Sequence, residues 1–313
     1  MGDPAGIGPE VVVRALAAAR LHQPVTVFGH AAWLAATARR LRIPAQRFRG
    51  SRITIVECVN VPTGRLRRGW PSPATGDAAL SCVRSAVAAV ERGEVDALVT
   101  APVSKAVVQS AGHWFPGHTE WLARRSRARE VGMLFVGGGL RVMLVTRHVA
   151  LRRVPSLLTR ARLQTALRLC VEALRRDVGI RQPRIAVAGL NPHAGESGQC
   201  GVEEQRVIAP TLRALRRTGA RIDGPLSPDA VFFDALRGCY DAVIAMYHDQ
   251  GLIPFKMLAR DTGVNVTLGL PFVRTAPDHG TAFDIAPRFC ANPGAMLAAM
   301  RLAIALYEKR SRR

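Results

Sequence analysis

Three histidines are candidates for a functional site in this sequence. His148, His193 and His248 each come at or just after the carboxyl end of an apolar run that has the length of a strand. Ligands of open α/β sheets bind outside the carboxyl ends of strands, and three imidazoles can hold one divalent metal with positions left for substrate. No short spacing such as H-E-x-x-H accompanies them, so a packed or surface histidine stays the alternative for each one.

A second group of polar residues has the chemistry to bind an anion. Only three of the 44 basic residues are lysine, and one of them, Lys256, lies in the apolar run Ile-Pro-Phe-Lys. Asn265 and Arg274 flank the last apolar strand, and these residue types near one crevice suit phosphate or carboxylate. The segment Gly-His-Thr-Glu at 117–120 adds an imidazole and a hydroxyl. The alternatives are a surface role for Arg274 and helix capping by Thr119.

A glycine-rich loop at 2–10, Gly-Asp-Pro-Ala-Gly-Ile-Gly-Pro-Glu, runs into the first predicted helix. The N–H groups of that helix could hold a phosphate. The loop matches neither the G-x-G-x-x-G dinucleotide fingerprint nor the Lys-Ser/Thr of a P-loop, so a tight turn that needs small residues explains it equally well. A strand normally precedes a loop of this kind, and we therefore expect the chain to be clipped or to start several residues late.

The elements that must position these residues alternate between strands and helices. Short, continuously apolar runs predict strands buried on both faces, at Val25–Phe28, Ile53–Val56, Ala97–Thr100, Arg141–Thr146, Arg184–Gly189, Ala242–Met246 and Val264–Leu268. Helices are predicted between them, at Pro9–Arg20, Ala31–Leu41, Thr75–Arg92, Pro155–Asp177, Val202–Thr218 and Ala295–Arg310. This alternation predicts an α/β fold with a mixed, mainly parallel sheet.

Length and composition bound the class of protein. With 313 residues the chain has room for two domains or one large α/β domain, and 48% apolar residues exclude intrinsic disorder. No apolar run approaches the roughly 18 residues of a membrane helix. We expect no secretory signal, and six dispersed cysteines without C-x-x-C indicate reduced thiols and a cytoplasmic location. The net charge of +21 comes from dispersed arginines without interleaved aromatics, which favours a solvated surface over nucleic-acid binding.

Seven segments together resemble the PdxA family of 4-hydroxythreonine-4-phosphate dehydrogenases, from vitamin B6 biosynthesis. The resemblance runs from Gly2 to about Pro293. It rests on ordered motifs: MGDPAGIGPE at 1–10, TAPVSKA at 100–106, GHTEWLA at 117–123, GLNPHAGE at 189–196, YHDQGLIPFK at 247–256, VNVTLGLPFVRT at 264–275 and DHGTAFDIA at 278–286.

The resemblance implies a cofactor set and the residues that hold it. One divalent metal per site, zinc, magnesium or cobalt, is expected on His148, His193 and His248. Catalytic roles are expected for Lys256, Asp249 and Asp229, the two aspartates as partners of the histidine ligands or of the substrate amine. Substrate contacts are implied at His118, Thr119, Lys256, Asn265 and Arg274. Contacts with NAD or NADP are implied at His279, Gly280, Thr281, Ala282 and Asn292.

The resemblance also implies an architecture. The family shares its fold with isocitrate and isopropylmalate dehydrogenases, so two α/β/α lobes with mixed, largely parallel sheets and a cleft between them are expected. The expected first domain comprises 1–117 and 255–313 on the cofactor side, and the second comprises 118–254 on the metal and dimer side. The family is a homodimer in which each active site is built from both subunits, with no nucleic-acid or membrane partner.

The reaction that the resemblance implies begins with hydride transfer to NAD⁺ or NADP⁺ from the 3-hydroxyl carbon of 4-phosphooxy-L-threonine. The resulting β-keto acid loses CO₂ and gives 3-amino-2-oxopropyl phosphate, while a Lewis-acid metal stabilises the developing charge. The alternative substrates are phosphorylated four-carbon sugar acids such as 4-phospho-D-erythronate or threonate. A more distant alternative is a histidine-ligated metallohydrolase.

One segment departs from the family pattern. The cofactor loop usually continues Ala-Gly-x-Gly, but here residues 286–289 read Ala-Pro-Arg-Phe. Loss of those glycines is expected to change how closely the backbone approaches the adenosine, and with it cofactor affinity or the choice between NAD and NADP.

Overall fold

The computed structural model describes residues 1–19, 22–48, 52–215 and 219–312. Its strands in chain order are β1 (Val25–Gly29), β2 (Ile53–Glu57), β3 (Ala97–Val99), β4 (Gly132–Gly137), β5 (Leu140–Leu144), β6 (Arg184–Ala188), β7 (Arg221–Leu226), β8 (Ala242–Ala245), β9 (Val264–Leu268) and β10 (Val273–Pro277). Its α-helices are α1 (Gly8–Ala18), α2 (Ala31–Arg40), α3 (Ala45–Phe48), α4 (Pro73–Glu91), α5 (Lys105–Ser110), α6 (His118–Arg125), α7 (Val154–Leu157), α8 (Arg160–Ala173), α9 (Ala209–Ala214), α10 (Val231–Leu236), α11 (His248–Ala259) and α12 (Gly294–Ser311).

The chain divides into two compact units. The first comprises Met1–Ala128 and Leu270–Ala305, and the second comprises Arg129–Gly269 and Leu306–Arg313. The domain boundaries implied by the family, at 117/118 and 254/255, stay a prediction.

The first unit contains two parallel strand pairs. Strands β1 and β2 pair in register from Val25 with Ile53 to Gly29 with Glu57. Strand β10 pairs with β3, Val273 opposite Ala97. A core of buried apolar residues joins α1, α2 and α4 to these strands. This unit carries the glycine-rich loop and the predicted cofactor loop, so their positions depend on its core.

The second unit is built on a sheet of mixed direction with the strand order β9-β4-β5-β8-β6-β7. Strand β4 runs antiparallel to β9 and to β5, while β5, β8, β6 and β7 run parallel to one another. Strands β8 and β9 are buried along their whole length, as continuous apolar runs predict for a covered sheet. The expected α/β class with a mixed, largely parallel sheet is confirmed.

The helix predicted from Thr75 begins two residues earlier, because its cap lies in the preceding turn. The Ser72 hydroxyl accepts a hydrogen bond from the Thr75 N–H, the Thr75 hydroxyl accepts one from the Ser72 N–H, and Pro73 occupies the first turn. This capping box fixes where α4 starts. The helix ends that were predicted at Arg20 and Thr218 lie outside the described residues.

Several elements were not predicted from the sequence. Strands β4, β7 and β10 and helices α3, α5, α10 and α11 are additional, and most of them are short. Helix α6 was expected only as the helix that Thr119 would cap. Helix α11 contains Gly251 and Pro254, and these residue types weaken a helical pattern. Strand β10 includes Arg274 and ends at Pro277, so its run is not uniformly apolar. Across the described ranges, no helix combines the length and the apolarity that crossing a bilayer demands.

Candidate functional site

An arginine within a strand lies at the centre of the polar group in the first unit. Arg274 is on β10 and only 4% exposed. Its Nη2 donates a 2.5 Å hydrogen bond to Thr100 Oγ1, just beyond the end of β3. Burial lowers the pKa of the guanidinium to about 10, against the charge of Glu120. The interpretation of Arg274 as a surface arginine is therefore wrong, and a buried guanidinium is typical of anion recognition.

His118, the first residue of α6, belongs to the same polar group. Burial lowers the pKa of its imidazole to about 3, and the positive charge of Arg274 adds to the lowering. Its ring meets Phe115 edge-on at a centroid distance of 5.4 Å. Its Nε2 is buried and has no hydrogen-bond partner among the described residues. The imidazole is neutral at neutral pH, so it can hydrogen-bond a ligand without adding charge.

Thr119 does not cap α6. The cap position is Gly117, with φ 146°, and Thr119 is a buried residue inside the first turn. The capping interpretation is wrong, which leaves the Thr119 hydroxyl beside His118 at the end of the helix where backbone N–H groups are unpaired within the helix. Arg274, His118 and this helix terminus together suit a phosphate.

The glycine-rich loop is shaped by close packing within the first unit. A Cβ on Gly2, where φ is +75°, would lie 2.7 Å from Pro102 O, and one on Gly6 would lie 2.6 Å from Thr281 O. The Ile7 N–H also donates to Thr281 O at 2.9 Å. These contacts favour the tight-turn explanation for the loop, because its small residues let three backbone segments meet.

The residues implied in cofactor binding lie after β10. His279 Nδ1 is 3.1 Å from Gly280 O, and its Nε2 is buried with no hydrogen-bond partner in the described part of the chain. A Cβ on Gly280 would meet no heavy atom within 4 Å, so open space adjoins it. Ala282 has a positive φ of 43°, and Asn292 accepts a hydrogen bond from the N–H of residue 294 at the start of α12. An unsatisfied buried nitrogen beside open space fits a polar group of a dinucleotide.

Phe289, at a position where the resemblance leads us to expect glycine, takes the left-handed backbone conformation that glycine favours. Its φ is 54°, and its carbonyl accepts a 2.8 Å hydrogen bond from Arg14. The Arg68 guanidinium lies over the Phe289 ring at 4.8 Å and over Trp33 at 4.7 Å. These stacked contacts show how the chain accommodates the bulky residue in its altered loop.

Two of the three predicted metal ligands come together in the second unit. His148 follows β5, and His248 begins α11 directly after β8, the parallel neighbour of β5. Their ring centroids are 5.4 Å apart. His248 Nδ1 lies 2.7 Å from Asp249 Oδ1, so this aspartate contacts the histidine that it is expected to partner. Imidazoles are donors that divalent transition metals accept, and this pair supplies two of them.

The third histidine lies apart, on a loop with Asp229 near it. A 2.5 Å hydrogen bond from the Ser227 hydroxyl lowers the pKa of Asp229, and His193 contributes electrostatically. Within the described ranges, no group of three His, Cys, Asp or Glu side chains lies close enough to hold a metal ion. A single chain thus brings two of the three predicted ligands together.

The loop that carries His193 has an unusual backbone. Residues 193–197 all have positive φ, between 42° and 84°, and only one of them is glycine. The buried carboxylate of Glu204 holds the start of this turn: Oε1 accepts hydrogen bonds from the N–H groups of Leu190 (2.7 Å) and Asn191 (2.8 Å), and Oε2 accepts one from the Asn191 amide (3.0 Å). Sequence reasoning missed Glu204, since nothing in its local pattern distinguishes it from a surface glutamate.

The remaining predicted substrate residues differ in exposure. Asn265 lies on β9, nearly buried, and its Oδ1 has no hydrogen-bond partner among the residues described. Lys256 lies on α11 next to the buried Phe255 and is itself exposed. The apolar run around Lys256 is explained by the helix, which turns residues such as Phe255 into the core and Lys256 away from it.

The fold places this chain in a class of α/β proteins. Isocitrate dehydrogenase from Methylococcus capsulatus has the same fold, with a TM-score of 0.51 and 14% identity, and the alignment covers 99% of this chain and 85% of that one. The chain is thus an α/β protein with the fold of that dehydrogenase.

The chain belongs to the family described as pyridoxal phosphate biosynthetic protein PdxA, whose model matches residues 20–303. It is 43% identical to 4-hydroxythreonine-4-phosphate dehydrogenase of Desulfosudis oleivorans, covering 97% of this chain and 94% of that protein. It is 42% identical to D-threonate 4-phosphate dehydrogenase of Salmonella typhimurium, with 98% and 97% covered. The crystal structure of 4-hydroxythreonine-4-phosphate dehydrogenase from Klebsiella pneumoniae superposes with a TM-score of 0.87 at 41% identity, with 98% and 96% covered.

The family assignment confirms the resemblance drawn from the motifs. The chain is a dehydrogenase, and a dehydrogenase of this family implies a nicotinamide cofactor and a metal. Thr100 and Glu204 are the residues that the sequence analysis did not single out, although Thr100 opens the motif TAPVSKA.

Proposed function

We propose that this protein oxidises 4-phosphooxy-L-threonine with NAD or NADP and releases CO₂, giving 3-amino-2-oxopropyl phosphate for pyridoxal phosphate biosynthesis. The observation that carries the proposal is the buried Arg274 beside a neutral His118 and the start of α6. A cation, a neutral imidazole and free helix N–H groups suit a phosphate monoester. The relative from Desulfosudis oleivorans, at 43% identity, carries the name of this activity.

The chain's own residues have distinct tasks in this reaction. We assign Arg274, His118 and Thr119 to the phosphate, and Lys256 with Asn265 to the carboxylate and amine end. Binding each charged group of the substrate in a fixed position orients its hydroxyl-bearing carbon, as hydride transfer requires. The predicted ligands His148, His193 and His248 would hold a divalent ion, which would supply Lewis-acid stabilisation of negative charge at oxygen, and a bound nicotinamide would supply the hydride acceptor. We assign Asp249 and Asp229 to the orientation of His248 and His193, since Asp249 contacts His248 and Asp229 interacts electrostatically with His193.

We further propose that the enzyme works as a homodimer through α10 and α11. These helices expose several large apolar side chains: Phe233 is 61% exposed, Ile253 62% and Met257 82%. Exposed apolar residues clustered on neighbouring helices are typical of protein interfaces. A second copy would also supply a ligand that one chain does not bring near the other two, since His148 and His248 meet without His193.

A second substrate class is favoured by a specific finding. D-threonate 4-phosphate dehydrogenase of Salmonella typhimurium is nearly as similar to this chain as the threonine-phosphate enzymes are. A phosphorylated hydroxy acid would present the same phosphate to Arg274 and His118 but no amine. The sugar-acid phosphate therefore stands as the second candidate substrate.

The deciding assay is NADH formation with Zn²⁺, Mg²⁺ or Co²⁺ over a panel of phosphorylated four-carbon acids. We expect 4-phosphooxy-L-threonine to give NADH and CO₂, and Arg274→Met to raise its KM at least tenfold. Arg84→Met, on the exposed face of α4, is the matched control and should leave KM unchanged. NADH from 4-phospho-D-threonate alone would move the assignment to the second substrate. Phosphate release without any NADH would refute dehydrogenation.

A further inference from the structure

Two cysteines that are 24 residues apart in the chain meet in the first unit. Cys58 directly follows β2, and Cys82 lies on α4. Their sulfur atoms are 3.8 Å apart, with the Cys58 thiol donating to Cys82 Sγ. We propose that Cys58 and Cys82 are a thiol oxidation site, at which a peroxide converts the dithiol into a reversible disulfide that the dehydrogenase reaction does not use.

The distance between the sulfurs leaves little to rearrange. A disulfide has an S–S length of about 2.05 Å, so the two sulfur atoms must approach by about 1.8 Å. Rotation about χ1 moves a sulfur over such a distance, and Cys58 sits at the end of a strand rather than inside a helix. We therefore expect the bond to form through a small movement of the two side chains.

The pair is chemically poised for oxidation. The hydrogen bond from Cys58 lowers the pKa of Cys82 to about 7, while the same bond raises the pKa of the Cys58 thiol. The Cys82 thiolate can therefore act as the base that accepts the Cys58 proton when Cys58 reacts with an oxidant. An isolated cysteine ionises only above pH 8.

An oxidant can reach the pair from one side. Cys58 is half-buried and lines a cavity of about 520 Å³ between β1, β2 and α4, while Cys82 is only 3% exposed. Phe28, Val56 and Ser85 line the same cavity. A small peroxide fits this space, whereas a folded reductase does not reach Cys82 directly. Cys58 is therefore the cysteine that reacts first with the oxidant, and Cys82 is the resolving cysteine that forms the disulfide with it.

The peroxide is the only co-reactant that this oxidation needs. As Cys58 Sγ attacks the peroxide oxygen, its proton passes to the Cys82 thiolate, which acts as the base. An S–O bond forms, the O–O bond breaks, and the hydroxide that leaves takes a proton from solvent to become water. The Cys82 thiol then attacks Cys58 Sγ, the S–S bond forms, the S–O bond breaks, and the hydroxide that leaves takes the Cys82 proton to become the second water. Two thiols lose two electrons, and one peroxide is reduced to two waters.

The other four cysteines lack these properties. Cys170 is fully buried, and burial raises its pKa to about 12. Cys200, Cys239 and Cys290 are exposed, and none of them pairs with another cysteine among the described residues. At Cys200, partial desolvation and a hydrogen bond to Glu196 raise the pKa of the thiol. Selective oxidation of one pair out of six thiols is therefore expected.

The test is peroxide treatment of the whole purified chain, followed by unfolding and thiol counting. We expect six thiols to fall to four and a reductant to restore them. Tryptic peptides 53–65 and 69–84, which contain Cys58 and Cys82, should appear linked and two hydrogens lighter than their sum. The rate of thiol loss should rise about tenfold per pH unit below pH 7 and level off above it.

Two variants and one control complete the experiment. Cys58→Ser and Cys82→Ala should each hold five thiols and give no linked peptide, while the control Cys290→Ser should fall from five thiols to three. Should Cys82→Ala fail to fold, Cys58→Ser at the half-buried position carries the comparison. Six thiols remaining in the treated wild-type chain, linkage through any other cysteine, or linkage between two chains would each overturn the proposal.

Discussion

Replacement of Glu204 by glutamine tests whether a buried carboxylate holds the loop of a proposed metal ligand. Glutamine keeps the size of the side chain and one carbonyl oxygen, which can still accept from the Leu190 and Asn191 N–H groups. Its amide group replaces Oε2, however, and then faces the Asn191 amide, so two donors oppose each other where one hydrogen bond was. The variant therefore removes a single bond and the negative charge that strengthens the others.

The magnitude follows from the backbone of the turn. His193, Ala194, Glu196 and Ser197 are four non-glycine residues with positive φ, and each costs about 1–2 kcal/mol, so the turn holds about 4–8 kcal/mol of strain. Three hydrogen bonds to a carboxylate, at about 1.5–3 kcal/mol each, are of the same size and offset it. Loss of one bond and of the charge leaves a deficit of about 2–3 kcal/mol.

That deficit should appear as weaker metal binding. Since His193 is presented on this turn, we expect Glu204→Gln to bind Co²⁺ about 30- to 150-fold more weakly, as about 1.4 kcal/mol corresponds to a factor of ten. The assay is a Co²⁺ titration followed by calorimetry and by the visible absorption of the bound ion. Gly195→Ala should act similarly, because its φ is +84° and a Cβ there would lie 2.6 Å from Glu204 Oε2.

The neighbouring Glu203→Gln is the control, because Glu203 contacts the Asn191 side chain and makes no hydrogen bond with the Leu190 or Asn191 backbone. It should bind Co²⁺ within a few-fold of the wild-type chain. Unchanged affinity and spectrum in Glu204→Gln would refute the reasoning about the turn. If instead the wild-type chain binds no metal at all, the proposed metal site fails, and the role of Glu204 must be read from the melting temperature alone.

Three further outcomes are expected. Burial raises the pKa of Asp3 to about 6, so the folded chain binds a proton at a pH where the unfolded chain has released it. Asp3→Asn should therefore raise the free energy of unfolding by at most about 3 kcal/mol at pH 8 and leave it unchanged below pH 4. Urea titration at the two pH values measures the difference. Burial opposes ionisation of Asp177, but hydrogen bonds from Arg176 and Arg310 together outweigh it and hold its pKa below the usual value. Asp177→Asn should lower the free energy of unfolding by about 2–3 kcal/mol at pH 7. The stability of the wild-type chain should drop as the pH falls below about 4, and a flat profile would contradict the ion pairs. The NMR signal of the His118 ring should not shift between pH 5 and 8, because burial lowers its pKa to about 3, and a midpoint near 6 would show that it is solvated.

The order of motifs and the alternation of apolar runs determined the family and the fold class from the sequence alone. Strands β8 and β9 were predicted because they are covered on both faces and read as unbroken apolar runs. Strand β10 was missed because it holds a buried arginine and ends at a proline, and α11 was missed because glycine and proline interrupt its pattern. The local periodicity of apolar residues predicts which positions are buried, and this prediction fails where a buried position is occupied by a polar residue.

The polar partners were decided by the tertiary structure alone. The strand pairing of β10 with β3 brings Arg274 to Thr100, which is 174 residues away, and no spacing rule predicts that contact. Placing β5 beside β8 brings His148 to His248, whereas His193 stays on a turn that Glu204 holds from 11 residues further along. The sequence specifies which residues can donate, accept or carry charge. Which of them are desolvated, and therefore shifted in pKa and able to recognise an anion, depends on the elements that cover them.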